Sequence, residues 1–242
     1  MNKTYCFTDI HGNYNLWKQI SEYCDETDTI YYLGDAIDRG PDGLKIAVEL
    51  LKDPRVIYLK GNHEEFMEDE LPMMIDNPWY FPQLWSQNGG DPTIESVKEL
   101  SEESKEWLYN KISNLPIDYT FSNKNNQIIH LTHAGSTPGF KLGENESYPD
   151  YYLWDRDHIY DEWPAAYENY YEVHGHTPVP YIALALDCDI EIGEDEYWNI
   201  LKYCDNHKID LDLGTILTNK IALFDLDTLS IEKYFYDSKK GE

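Results

Sequence analysis

Tyr5-Cys6-Phe7-Thr8-Asp9-Ile10-His11-Gly12-Asn13 is the stretch from which the rest of the chain can be read. An apolar, β-prone run leads into Asp9 and His11, two residues apart, and then into a glycine. An extended chain repeats its facing every second residue, so both side chains can address one point, whereas a helix would separate them. The same arrangement returns four times. Thr29 to Leu33 precedes Gly34-Asp35-Ala36-Ile37-Asp38-Arg39-Gly40, and Val56 to Leu59 precedes Gly61-Asn62-His63-Glu64. Ile128 to Leu131 precedes His133-Ala134-Gly135, and Tyr170 to Val173 precedes His174-Gly175-His176-Thr177. Each apolar run reads as a buried strand. Ligand crevices in α/β sheets lie beyond the carboxyl ends of strands, so all five loops are predicted on one rim. The glycines at 12, 34, 40, 61, 135 and 175 let the backbone turn sharply or come close to an ion. Together the loops carry enough Asp, His and Asn side chains for two cations.

These five runs, with Trp85-Ser86-Gln87-Asn88-Gly89-Gly90 and Leu153-Trp154-Asp155-Arg156-Asp157, resemble the calcineurin-like metallophosphoesterases. More narrowly they resemble the serine/threonine phosphoprotein phosphatase branch found in bacteria and phages, from Asp9 to about Asp227. The resemblance implies an α/β fold of two packed mixed β-sheets flanked by helices. It implies that Asp9, His11 and Asp35 hold a first metal, and that Asp35 bridges to a second held by Asn62, His133 and His176. A bridging carboxylate keeps two ions about 3.5 to 4 Å apart, where a hydroxide between them can attack phosphorus. Mn²⁺ is the first expectation for both ions, with Fe or Zn²⁺ as alternatives, because a mixed oxygen and nitrogen set suits all three.

By the same resemblance His63 is the general acid that protonates the departing alkoxide, with Asp38 fixing its ring. Arg39 and Arg156 look like the phosphate clamp, since a guanidinium presents a planar fork matching two phosphoryl oxygens. The chain has only three arginines, Arg39, Arg55 and Arg156, so two at motif positions carry information. The implied activity is hydrolysis of phosphate monoesters, with phosphoserine or phosphothreonine in proteins as first substrate and dinucleoside polyphosphates as the alternative. A non-catalytic phosphate-binding scaffold would be marked by a lost ligand, and none is missing. One position departs from the pattern: Thr8 stands where the family usually has glycine, which would strain the backbone if that position needs a positive φ.

At 242 residues, with no Pro/Gly/Ser-rich linker or repeat, residues 1–242 read as one domain with a helical flank at 64–115 and an insert at 178–210. A formal net charge of -27 repels polynucleotides, so the expected partner is a phosphorylated protein or a small phosphoester, not nucleic acid. No apolar run is long enough to span a bilayer and no export signal precedes the first strand, so no membrane partner and a cytoplasmic location are expected. In the flank, Thr93 to Leu100 and Glu102 to Ile112 read as helices, the second capped by Ser101. Trp79, Tyr80, Phe81, Trp85 and Trp107 read as core. In the insert a helix is expected at Glu194 to Cys204, with the whole overhanging the metals. Thr215 to Leu217, Lys220 to Asp225 and Ser230 to Tyr236 read as closing strands of a second sheet. His174 is placed behind the ligands, and His158 and His207 at the surface.

Overall fold

Strand β1 (Thr4–Phe7) sets the layering through its alternation. Tyr5 and Phe7 face helices while Cys6 faces a second sheet, so this run without a polar side lies mid-molecule. The computed structural model describes residues 2–77, 79–143 and 147–237. The further strands are β2 (Thr29–Tyr32), β3 (Val56–Tyr58), β4 (Asp118–Ser122), β5 (Ile128–Thr132), β6 (Tyr170–His174), β7 (Leu201–Tyr203), β8 (Lys208–Asp210), β9 (Lys220–Asp225) and β10 (Ser230–Tyr236). They form two five-stranded sheets, β10-β9-β1-β2-β3 and β4-β5-β6-β8-β7. The neighbours β1, β2 and β3 run parallel, as do β5, β6 and β8. Antiparallel pairs close both sheets, making each mixed as expected.

Helices α1 (Tyr14–Tyr23), α2 (Gly43–Lys52) and α3 (Asn62–Asp76) each follow one parallel strand of the first sheet. Their buried positions, such as Leu16, Trp17 and Ile20 or Leu44, Ala47 and Leu50, recur at helical spacing and meet Phe7, Ile30 and Tyr32. Between the sheets, Cys6, Leu33, Leu131, Val173, Ile209 and Phe224 form the sandwich core. The outer face of the second sheet is different: His130, Thr132, Glu172, His174 and Lys208 are all buried there.

The flank holds α4 (Gln83–Trp85), α5 (Asp91–Lys98) and α6 (Glu102–Ser113). Ser101 caps α6 as expected, accepting from Ser104 N at 3.3 Å. Trp85 is fully buried, but Trp79 is 94% exposed and Phe81 53%, so the core reading fails for those two. Helices α7 (Tyr148–Trp154), α8 (Val179–Leu186) and α9 (Thr215–Thr218) complete the set.

Several expectations are corrected. Residues 215–218 form a helical turn, because Gly214 and Asn219 on either side take left-handed conformations that bracket a single turn. Strands β9 and β10 extend the first sheet, beside β1, rather than the second. Residues 194–204 form no helix. Instead Ile192 bridges to Trp198, β7 begins at Leu201, and Asp195, Trp198 and Asn199 gather round the buried Lys220 ammonium at 3.0, 3.1 and 3.2 Å. His158 is buried, and His207 is half-buried, stacked against Trp163 at 4.9 Å. No helix is long and apolar enough to cross a membrane among the described residues.

Candidate metal centre

The loop after β1 is zipped onto the loop after β2 by backbone bonds: Asp9 N to Gly34 O at 3.1 Å, His11 N to Asp35 O at 3.0 Å and Gly12 N to Ala36 O at 2.9 Å. To turn here, the functional residues themselves bend. Asp9 (φ 50°), His11 (42°), Asp35 (63°), Asp38 (69°), Arg39 (64°) and His176 (69°) all occupy the left-handed region. Each such residue is disfavoured by roughly 1–2 kcal/mol, so surrounding contacts must hold it. Two glycines serve close approach instead: a Cβ on Gly61 would fall 2.2 Å from Asp35 Oδ1, and one on Gly175 would fall 2.2 Å from Asp9 Oδ2.

All six expected ligands are buried and converge from both sheets. Asp35 presents one carboxylate oxygen to each side: His133 Nε2 lies 3.4 Å from Oδ1, while His11 Nε2 lies 3.6 Å from Oδ2. Ligand-type atoms of Asp9, Asp35 and His133 lie within 4.8 Å of one another, as do those of His11, Asp35 and His63. The second trio includes His63, but that ring is already engaged on both nitrogens. His11 Nδ1 donates to Ile37 O at 3.0 Å and His133 Nδ1 to Leu33 O at 2.8 Å, which turns each Nε2 lone pair inward.

Asn62 Oδ1 lies 2.9 Å from His133 Nε2 and 3.0 Å from His176 Nδ1, and the two nitrogens are 3.2 Å apart. With His133 Nε2 unprotonated and the rings neutral, this triangle holds at most one proton, a shortage that a cation satisfies. His11 Nε2 and His176 Nε2 are buried without any hydrogen-bond partner. Burial keeps the His11 and His176 rings well below the usual imidazole range and pushes the Asp35 carboxyl well up, with Asp9 and Glu64 adding to the latter. Neutral imidazoles around buried carboxylates fit two divalent ions.

His63 Nδ1 lies 2.7 Å from Asp38 Oδ2, the pair expected from the motif. Trp85 Nε1 donates to the same oxygen at 2.7 Å, and Asp38 N donates to Thr93 Oγ1 at 2.9 Å. Burial pushes the Asp38 carboxyl up to about 7, with Thr93, Trp85 and Arg39 opposing. Burial, then Arg39, then His133 keep the His63 ring well below its ordinary value. Arg39 N donates to Gly89 O at 2.8 Å, so the Asn88-Gly89-Gly90 run secures the arginine; Asn88 itself turns back to Leu84 O at 2.8 Å. Arg156 lies just past α7 with the residue exposed as a whole, and partial desolvation of its guanidinium, then Arg39, lowers its affinity for its proton.

Four residues have roles that the sequence reading did not assign. Trp85 and Thr93 support Asp38. Glu64, fully buried, accepts from Asp35 N at 2.8 Å, Gly61 N at 2.9 Å, Ala36 N at 3.0 Å and Tyr58 OH at 2.8 Å, tying the second and third loops together. Asp212 is buried, and its carboxyl is pushed well up by burial and then by Asp9. Its signal was available: Asp212 and Gly214 follow β8 as the other acids and glycines follow their strands. His174 turns away, its Nε2 2.8 Å from Tyr203 OH, and His158 reaches Ala134 O at 2.7 Å.

The chain is 30% identical over 159 residues to serine/threonine-protein phosphatase 2 of Escherichia coli (strain K12), covering 62% of this chain and 66% of that protein. It is 41% identical over 66 residues to the symmetrical bis(5'-nucleosyl)-tetraphosphatase of Buchnera aphidicola subsp. Acyrthosiphon pisum (strain 5A), covering 25% of this chain and 24% of that one. The chain thus spans less than two thirds of the length of either relative. A solved structure described as a candidate diadenosine tetraphosphatase superposes with a TM-score of 0.62 at 14% identity, over 97% of this chain and 93% of that one, which shows a shared fold. The calcineurin-like phosphoesterase family model matches residues 3–213. The chain therefore belongs to the calcineurin-like phosphoesterase family.

Proposed function

We propose that the protein hydrolyses phosphate monoesters, and that its substrates are phosphoserine and phosphothreonine in proteins. The observation that carries this reading is Asp35 lying between two groups of buried ligand atoms, with the His63–Asp38 pair beside it. Asp9, His11 and Asp35 would hold one ion, and Asp35, Asn62, His133 and His176 the other, with Mn²⁺ as first choice and Fe or Zn²⁺ as alternatives. When bound, such ions neutralise phosphoryl charge and acidify water into a nucleophile near neutral pH.

The chain's own residues do the rest. Arg39 and Arg156, exposed on the rim, bind and orient the phosphoryl oxygens. His63 Nε2 points at the same space and hands a proton to the leaving oxygen, while Asp38 on Nδ1 holds the ring and favours the charged form. In the resting arrangement Nε2 faces Arg39 at 3.1 Å, so substrate must draw the guanidinium off before the ring can donate. Residues 1–242 act as one domain in this reading.

A second reading, a dinucleoside polyphosphate hydrolase, is favoured by the 41% identity over 66 residues to a protein named for that activity. Metal-stripped protein refilled with Mn²⁺ should hydrolyse an aryl phosphate, and Asp35→Asn and His63→Asn should not. Turnover of phosphopeptides against diadenosine tetraphosphate then separates the two substrates. A refilled wild type inert on all of them would end the proposal.

A further inference from the structure

Thr8 is the one position where the chain leaves its family's first motif. It is buried at 2% exposure, and its φ is not in the left-handed region that Asp9 adopts one residue later. The β-branched side chain therefore sits without strain just ahead of the bend. Its Oγ1 donates to Asp9 Oδ2 at 2.6 Å, and His176 N donates to that same oxygen at 3.0 Å. Asp9 Oδ1, by contrast, lies 3.8 Å from His11 Nε2, on the side of the ligand cluster.

The Thr8 side chain is held on its far side as well. A Cβ built on Gly175 would fall 2.4 Å from Thr8 Oγ1 and 2.6 Å from its methyl, so the threonine is wedged between Asp9 and the loop that carries His176. A β-branched residue has few χ1 states to begin with, and this contact on Gly175 leaves less room still.

We infer that Thr8 is a positioning residue that fixes Asp9 through Oδ2 and leaves Oδ1 alone to face the ions. Glycine at this position would supply neither the hydroxyl nor the wedge, and Asp9 would be tethered by His176 N only. The inference rests on the dimetal reading proposed above. Partners behind a ligand are worth roughly 10–100-fold in metal affinity, which sets the size of the effect.

The test is calorimetric titration of Mn²⁺ into the metal-stripped full chain, in wild type, Thr8→Val and Thr8→Ser. Valine keeps the shape and removes the donor; serine keeps the donor and removes the methyl. The wild type should bind two ions. Thr8→Val should melt with the wild type in chelator yet bind one ion roughly 10–100-fold more weakly, while Thr8→Ser binds both as the wild type does. Unchanged binding in Thr8→Val, or equal weakening in both variants, overturns the role of the hydroxyl. A wild type that takes up fewer than two ions overturns the dimetal reading instead, so the two failures are told apart.

Discussion

Arg39 Nη2 lies 3.1 Å from His63 Nε2. A guanidinium has no lone pair to offer, so the imidazole accepts there and carries its proton on Nδ1, toward Asp38. The arginine thus holds the proposed acid in its unprotonated form until something more anionic claims the guanidinium. Arg39→Ala removes a positive charge that opposes the imidazolium, so the His63 titration should move to higher pH, as followed by NMR of the ring. Loss of a charge-assisted contact of about 3 kcal/mol should lower kcat/KM by roughly a hundredfold. A His63 titration that stays in place or moves down would contradict this account.

Glu64 is expected to matter as much as a ligand although it faces no ion. Its carboxylate accepts three backbone N–H bonds and the Tyr58 hydroxyl. Glu64→Gln turns an amide N–H toward donors, which should destabilise the protein by about 1–3 kcal/mol. Asp35 should lose its register with Gly61, weakening metal uptake. Chemical denaturation together with metal titration checks both parts, and an unchanged variant would remove Glu64 from the site's support.

On the outer face of the second sheet, His130 gives a pH-dependent stability. Burial opposes its charge, but Glu172 at 2.6 Å and Asp118 at 3.4 Å outweigh it and raise the ring to about 10. The folded value lies above the unfolded one, so the stabilisation is full below the ordinary imidazole value near 6.5 and is lost as pH rises toward 10. Wild type should therefore melt lower at pH 9 than at pH 7, by about 2–4 °C for each kcal/mol lost. His130→Gln should flatten that difference; equal slopes in the two proteins would refute it.

Metal removal should be visible without any assay of turnover. Ligands that bind only the folded chain stabilise by mass action, about 2.7 kcal/mol at a hundredfold excess over Kd, or roughly 5–10 °C in Tm. Chelator should lower Tm by that order and Mn²⁺ should restore it. A melting curve indifferent to both would argue against a resident pair of ions.

Much of this was legible in the chain because it is local. Strand alternation and turn residues occupy adjacent positions, so the five strand-and-loop runs and the α6 cap at Ser101 are read directly. What escaped depends on partners remote in sequence. Trp85 and Thr93 lie 47 and 55 residues from Asp38, and no local pattern marks an indole as a carboxylate's donor. The acid-rich stretch around Asp195 resembles a helix by composition, yet it is bent round Lys220 by an ion pair that spacing does not encode. The short Thr215–Thr218 run is β-prone by residue type and helical because two left-handed neighbours cut it to one turn. The bend at Asp9, Asp35 and His176 also went unread: the glycines drew the eye, while the acidic and imidazole residues beside them take the strained conformations.

The proposed ligand set is divided between the sheets, with Asp9, His11 and Asp35 on loops of one and Asn62 at the start of α3 beside it, and His133 and His176 on loops of the other. Neither half can assemble the chemistry alone, so a fragment ending before β4 would keep four of these side chains and be inert. The apolar seam of Cys6, Leu33, Leu131 and Phe224 then works as a spacer gauge: a trimmed methyl group deep in that seam would reach turnover by letting one wall slide against the other.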